Sequence, residues 1–106
     1  MTLHLEKPWL ELSAERVAKL SGQMGVYQLA DDSGQVLYIG FAGGKSLFGL
    51  RSELEKRVGS APKFRYEVNN QYQTRWRELL MLHKAANGDV PEMNRHETLP
   101  KLGRLG

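Results

Sequence analysis

Residues 25–46 read GVYQLADDSGQVLYIGFAGGKS, and how this stretch pairs with itself decides the fold. Met24–Ala30 and Val36–Phe41 are two runs rich in β-branched, aromatic and aliphatic residues. Between them Asp31-Asp32-Ser33-Gly34-Gln35 is polar and contains glycine, which predicts an antiparallel hairpin. With the turn at Ser33-Gly34, side-chain alternation puts Tyr27 and Leu29 on the face that carries Tyr38 and Val36. A slip of one residue would part the two tyrosines.

The end of the stretch, Gly43-Gly44-Lys45-Ser46, has the look of a phosphate-cradling loop. That loop needs four residues between its first glycine and Gly-Lys-Ser/Thr. Gly40 to Gly44 leaves three, and Ile39 stands where the glycine should be. A P-loop also follows a parallel strand, whereas Val36–Phe41 reads as the second arm of a hairpin. No later hydrophobic run ends in an aspartate for magnesium. A nucleotide triphosphate is therefore not an expected ligand, and a dinucleotide loop fails on the same grounds.

Outward from the hairpin, Ser13 reads as the cap of a short helix with Val17 and Leu20 inward and Gly22 at its end. A second helix is expected from Ser46 or Leu47 to about Val58, with Leu47, Leu50, Leu54 and Val58 on one stripe, closed by Gly59 and Pro62. Lys63–Val68 alternates as a third strand. A long helix follows from about Tyr72 to Ala86, with Trp76, Leu79, Leu80 and His83 inward and Asn87-Gly88 as its stop. The tail from Pro91 looks irregular. The predicted class is α+β, a small three-stranded antiparallel sheet flanked by helices. It fills a single domain over 1–106, with a core at about 22–95, an N-terminal extension 1–12 and a short C-terminal tail.

The 106 residues suit one small core. With 41% hydrophobic and 25% charged residues, the chain is neither disordered nor membrane-embedded by composition. No apolar run has the length of a membrane span, and no signal-peptide pattern opens the sequence, so a cytoplasmic location and no membrane partner are expected. Cysteine is absent, which removes disulfides and thiolate metal sites. His4, His83 and His96 are scattered without zinc-site spacing, and no serine has a nucleophile-elbow context. The net charge of +3 is mild, but its placement is uneven. From Lys45 to Arg77 eight basic residues face three glutamates, interleaved with Phe48, Phe64, Tyr66, Tyr72 and Trp76. Basic and aromatic residues together suit a phosphate backbone with exposed bases, and equally a solvated basic face over core aromatics. Lys45, Arg57, Lys63, Arg65 and Arg75 are the candidate nucleic-acid contacts.

Gly25-Val26-Tyr27, then Tyr38-Ile39-Gly40 with its tyrosine eleven residues on, resembles the paired motifs of the GIY-YIG nuclease family. Arg51 stands on the following helix, Glu78 on a later one in Arg-Trp-Arg-Glu-Leu-Leu, and Pro91-Glu92-Met93-Asn94 beyond it. The resemblance covers about residues 22–95 and implies a metal-dependent endonuclease hydrolysing DNA phosphodiester bonds. By that resemblance Tyr27 is the general-base candidate, Tyr38 positions water and phosphate, and Arg51 clamps a phosphate oxygen. Glu78 is the protein ligand of one Mg²⁺ or Mn²⁺ ion, and Asn94 braces the region. Taken singly, each residue has a plainer reading: sheet-packing tyrosines, Arg51 paired with Glu55, Glu78 paired with Arg75 or Lys84, a loop asparagine.

Two departures stand out. Glu55 occupies the position where relatives carry histidine or tyrosine, so it is either an accessory group or the mark of a weak or inactive nucleic-acid-binding module of the same fold. The gap from Tyr38 to Arg51 is also long, with the glycine-rich stretch as the insertion. Arg57 is the other arginine in range, but its spacing fits less well. Relatives usually draw specificity from an appended DNA-binding domain, for which 106 residues leave no room, so the resemblance implies action on DNA structure rather than sequence, a homodimer, or a protein partner that supplies specificity.

Overall fold

The structure, a computed structural model, describes residues 4–44 and 46–97. Lys45, one of the candidate nucleic-acid contacts, and the end of the C-terminal tail lie outside them. The described chain runs β1 (Leu10–Glu11), α1 (Ala14–Val17), β2 (Gly25–Ala30), β3 (Val36–Ala42), α2 (Gly49–Glu55), β4 (Lys63–Val68), α3 (Tyr72–Asn87) and a 3₁₀ turn (Glu92–His96). It is a small α+β domain. Among the described residues, none lies in a helix long and apolar enough to cross a membrane.

All strand pairings are antiparallel, in the order β1-β4-β2-β3. The sheet thus has four strands where the sequence pattern predicts three. The addition comes from the N-terminal extension, where Leu10 pairs with Phe64 and Glu11 with Lys63. Two residues carry no alternation to detect, and their extended form is imposed by the ladder they join.

β2 is central, and all six of its residues are buried. Burial of both faces explains its near-continuous apolar run, interrupted by Gln28, whose Oε1 accepts a hydrogen bond from Arg65 Nε at 2.7 Å. The hairpin turn is held as its chemistry predicts. Asp31 Oδ1 accepts from the backbone of Ser33 and Gln35, and Gly34 adopts φ +89°. Tyr38 lies opposite Leu29 and Tyr27 opposite Gly40, so the tyrosines are diagonal neighbours on one face. The register shifts between Leu29 and Ala30, so Ala30 pairs with Val36. Val36 consequently packs with Val26 and Ile39 on the opposite face from the tyrosines, and the expectation of a shared face fails at that residue.

Leu12, Val17, Leu50 and Leu54 pack on the tyrosine face with Leu29 and Phe64. On the other face Leu5, Leu79, Leu80 and Val90 cover Val26 and Ile39. Ser13 caps α1 as predicted, accepting from Arg16 N at 3.2 Å. α3 ends at Gly88, in the left-handed region at φ +87°, where Asn87-Gly88 predicts its stop. α2 is shorter than its apolar stripe implies: Leu50 and Leu54 are buried, while Leu47 is 83% exposed and Val58 is exposed. Its start is fixed by Gly49, at φ +54° and packed against Gln23 O, which also accepts from Leu50 N at 2.8 Å.

β3 is an edge strand, with α2 on one side and α3 on the other. This arrangement positions the site described next.

Candidate functional site

An open cleft of about 950 Å³ lies along β3. Tyr27, Tyr38, Glu53, Lys56 and Arg57 line it from the α2 side. Phe41, Tyr72, Gln73 and Trp76 line it from the α3 side. Phe41 and Tyr72 stack at 5.5 Å between centroids, and Trp76 meets Phe41 edge-on at 4.9 Å. Gly40 is required where the two tyrosines converge. A Cβ there would sit 2.5 Å from Tyr27 Cζ and 2.7 Å from Tyr38 Cε2.

The rings of Tyr27 and Tyr38 are 5.9 Å apart, and one guanidinium joins them. Arg57 Nε donates to the Tyr27 hydroxyl at 3.2 Å, and Nη2 donates to the Tyr38 hydroxyl at 2.9 Å. The same guanidinium lies 4.2 Å over the Tyr38 ring. Arg57 stands beyond the last residue of α2, in a turn where its N–H bonds Leu54 O and its carbonyl accepts from Ser60 N. Arg51, the arginine favoured by spacing, lies elsewhere. Its guanidinium stacks 4.7 Å over Phe48 and does not line the cleft. Arg51 lies within α2 and Arg57 in the turn that follows it, so the two are not carried by one helix face. Glu53, on α2, does line the cleft. Glu55 is exposed and is not part of the lining.

A carboxylate that the sequence pattern did not single out completes the group. Tyr38 donates to Glu97 Oε2 at 2.6 Å, and Asn94 Nδ2 donates to Glu97 Oε1 at 3.2 Å. Asn94 is fully buried and grips the edge of β3. Its Oδ1 accepts from Ile39 N at 2.8 Å, and its Nδ2 donates to Ile39 O at 2.9 Å. Trp76 Nε1 also donates to Ile39 O, at 2.8 Å. Asn94 therefore ties its turn to the edge of β3 much as a neighbouring strand would. The only foretaste of Glu97 in the sequence is its position three residues after Asn94, one turn further along a 3₁₀ path.

Glu78 is not among these residues. It forms an ion pair with Arg75, whose Nε also bonds Glu67 Oε2 at 2.8 Å. On α3 the cleft-facing residues are Tyr72, Gln73 and Trp76, and Glu78 lies about 200° around the helix from Trp76. An ion held by Glu78 would sit away from the tyrosines. The carboxylates that line the cleft are both engaged: Glu53 with Ser46 Oγ and Lys56 Nζ, Glu97 with Tyr38 and Asn94. No group of three or more His, Cys, Asp or Glu among the described residues is placed to hold a metal. These residues do not fit a divalent centre at the tyrosine pair.

Two members of the basic run are engaged within the fold: Arg65 stacks 4.0 Å over Trp9 while bonding Gln28 and Lys7 O, and Arg75 is held by Glu67 and Glu78. Among the described cleft residues, Lys56 and Arg57 balance Glu53 and Glu97.

Burial holds both tyrosines in their protonated form. It raises Tyr27 above the ordinary tyrosine value despite the opposing Arg57 charge. It raises Tyr38 further, with the hydrogen bond to Glu97 acting in the same direction. The unfolded chain releases these protons near pH ~10 and the folded chain later, so their contribution to stability is whole below that pH and is lost above it. A spectrophotometric titration is expected to show tyrosinate absorbance from Tyr27→Phe and Tyr38→Phe variants that differs from wild type only above pH ~10.

The fold and cleft thus define a small α+β domain with a tyrosine–arginine–glutamate cluster at a sheet edge. Residues 3–86 match the model of a family described as a domain of unknown function (DUF7508), and the chain belongs to that family. The matched span contains Tyr27, Tyr38 and Arg57 and ends before Asn94 and Glu97. A comparison with curated proteins finds no match.

Proposed function

We propose that the cleft binds a phosphodiester of DNA and hydrolyses it, as a domain of the GIY-YIG nuclease kind. The observation that carries this reading is the single guanidinium of Arg57 hydrogen-bonded to the tyrosines of both Gly25-Val26-Tyr27 and Tyr38-Ile39-Gly40. Among the described residues Arg57 Nη1 has no partner, which leaves donors for a phosphate oxygen. The phosphate-clamping role expected of Arg51 passes to Arg57 in this reading. Tyr27, nearly closed off from solvent and holding its proton, fixes Arg57 rather than acting as a base. Phe41, Tyr72 and Trp76 offer an aromatic wall on which a base next to that phosphate can rest. Because Glu78 faces away from the cleft, no step is assigned to a metal ion.

Nicking of supercoiled plasmid and cutting of an end-labelled single-stranded oligonucleotide, each with and without Mg²⁺, test this reading. Cleavage is expected, and its complete absence under both conditions would sink it. Binding is expected to depend only modestly on salt. Among the described residues Lys56 and Arg57 are the cleft cations, so two phosphate contacts imply a log–log slope of about −1.4 on single strands. A slope several times steeper would mean that Arg65 and Arg75 leave their partners to join the interface.

Binding without turnover is the second reading. The position of Glu78, paired with Arg75 away from the cleft, favours it. Salt-sensitive binding with no product under any metal condition would select it.

A further inference from the structure

We propose that Glu97 is the residue that positions Tyr38 and takes its proton during hydrolysis, an inference that rests on the phosphodiesterase reading above. Both oxygens of the Glu97 carboxylate are committed. Oε2 accepts from the Tyr38 hydroxyl at 2.6 Å, and Oε1 accepts from the amide of the fully buried Asn94 at 3.2 Å. Asn94 is in turn locked to both backbone groups of Ile39, the neighbour of Tyr38 on β3. The carboxylate is thereby referenced to the same strand that carries the tyrosine. On its other side the Tyr38 oxygen accepts from Arg57 Nη2 at 2.9 Å. Arg57, Tyr38 and Glu97 form a short relay in which the tyrosine both accepts and donates, and one lone pair of its oxygen remains for a water proton.

Arg57 holds the phosphate beside this oxygen. A water between them loses a proton to Tyr38 Oη as the Tyr38 proton passes to Glu97 Oε2. The resulting hydroxide forms the new P–O bond. The P–O bond to the leaving sugar oxygen breaks, its electron pair goes to that oxygen, and solvent in the open cleft protonates it. Glu97 then returns its proton to solvent, to which it is exposed. Tyr38 remains a neutral phenol before and after the step, which suits a buried ring. Glu97 also carries a negative charge near Arg57, so it weakens the hold on a phosphate while serving turnover.

The test compares wild type, Glu97→Gln, Glu97→Asp, Tyr38→Phe and the Glu97→Gln/Tyr38→Phe double variant. Each is assayed for cutting of a labelled oligonucleotide and, by fluorescence anisotropy, for binding it. Glu97→Gln keeps a hydrogen-bonding partner for Tyr38 but accepts no proton. It is expected to lower turnover about 100-fold or more while binding as tightly as wild type or more tightly. Glu97→Asp is expected to recover part of the turnover. The double variant is expected to be no slower than the slower single variant, as for residues acting through one another. Wild-type turnover in Glu97→Gln overturns the role of Glu97 and leaves the phosphodiesterase reading standing. A parallel loss of affinity and turnover, with a lowered melting temperature, makes Glu97 merely structural and also overturns it. A wild type that binds without cutting overturns both proposals at once.

Discussion

Arg57→Ala is expected to lower cleavage of an oligonucleotide by about 100- to 1,000-fold, the range seen when a donor to a developing phosphate or oxyanion charge is removed. Arg57 is the shared partner of both motif tyrosines and a cation lying over one of their rings. Its loss leaves the tyrosines without their shared partner and, in the proposed reading, removes the phosphate clamp. Arg57→Lys is expected to recover only part of the activity, since an ammonium cannot span two hydroxyls in one plane. Arg51→Ala is the informative control. Its guanidinium stacks on Phe48 outside the cleft, so turnover within about twofold of wild type is expected, in keeping with surface substitutions generally. Steady-state cleavage by the three variants decides between the arginines. The reverse ranking, with Arg51 essential and Arg57 dispensable, would overturn the site as described.

The second large effect falls on stability. Asn94→Ala is expected to cost about 3 kcal/mol, because it strips the buried N–H of Ile39 of its acceptor and opens a void. For a domain of this size that is a drop of roughly 12–24 °C in melting temperature. Ile39 O keeps Trp76 as a donor, so the penalty concentrates on the N–H side. Asn94→Asp is not expected to rescue it: a carboxylate would face Ile39 O and the Glu97 carboxylate where the amide now donates to both. Thermal unfolding followed by circular dichroism checks both variants. A melting temperature within a few degrees of wild type for Asn94→Ala would show that the brace is dispensable.

Local chemistry made much of this architecture legible. The β2–β3 hairpin announces itself through alternation and the Asp31–Gln35 turn, α1 through the Ser13 cap, and α3 through its apolar spacing and the Asn87-Gly88 stop. Non-local effects account for what was hidden. β1 is extended because it pairs with β4, and nothing in Leu10-Glu11 alone requires it. The register shift at Leu29/Ala30 moves Val36 to the other face, although no glycine or proline marks it. Spacing favoured Arg51 over Arg57, but α2 ends at Glu55 and the following turn swings Arg57 back over the tyrosines. Glu78 lies on the predicted helix but on the wrong side of it, a rotation that a list of matched motifs does not contain. Tyr27 and Tyr38 come together because hairpin pairing close to their motifs fixes both, and the Asn94 side chain reaches the same strand from the turn that follows Pro91. Glu97 went unseen because its significance exists only once Tyr38 is folded against it.

The free edge of β3 has one more consequence, for how copies of the chain behave toward each other. An outermost strand offers a row of unused backbone groups on which another molecule can build, the usual beginning of sheet-to-sheet aggregation. Here Asn94 and Trp76 occupy both backbone groups of Ile39 in the middle of that row. The brace of the cleft therefore also takes out of use, at the middle of the edge, the backbone groups on which a strand of another copy would build.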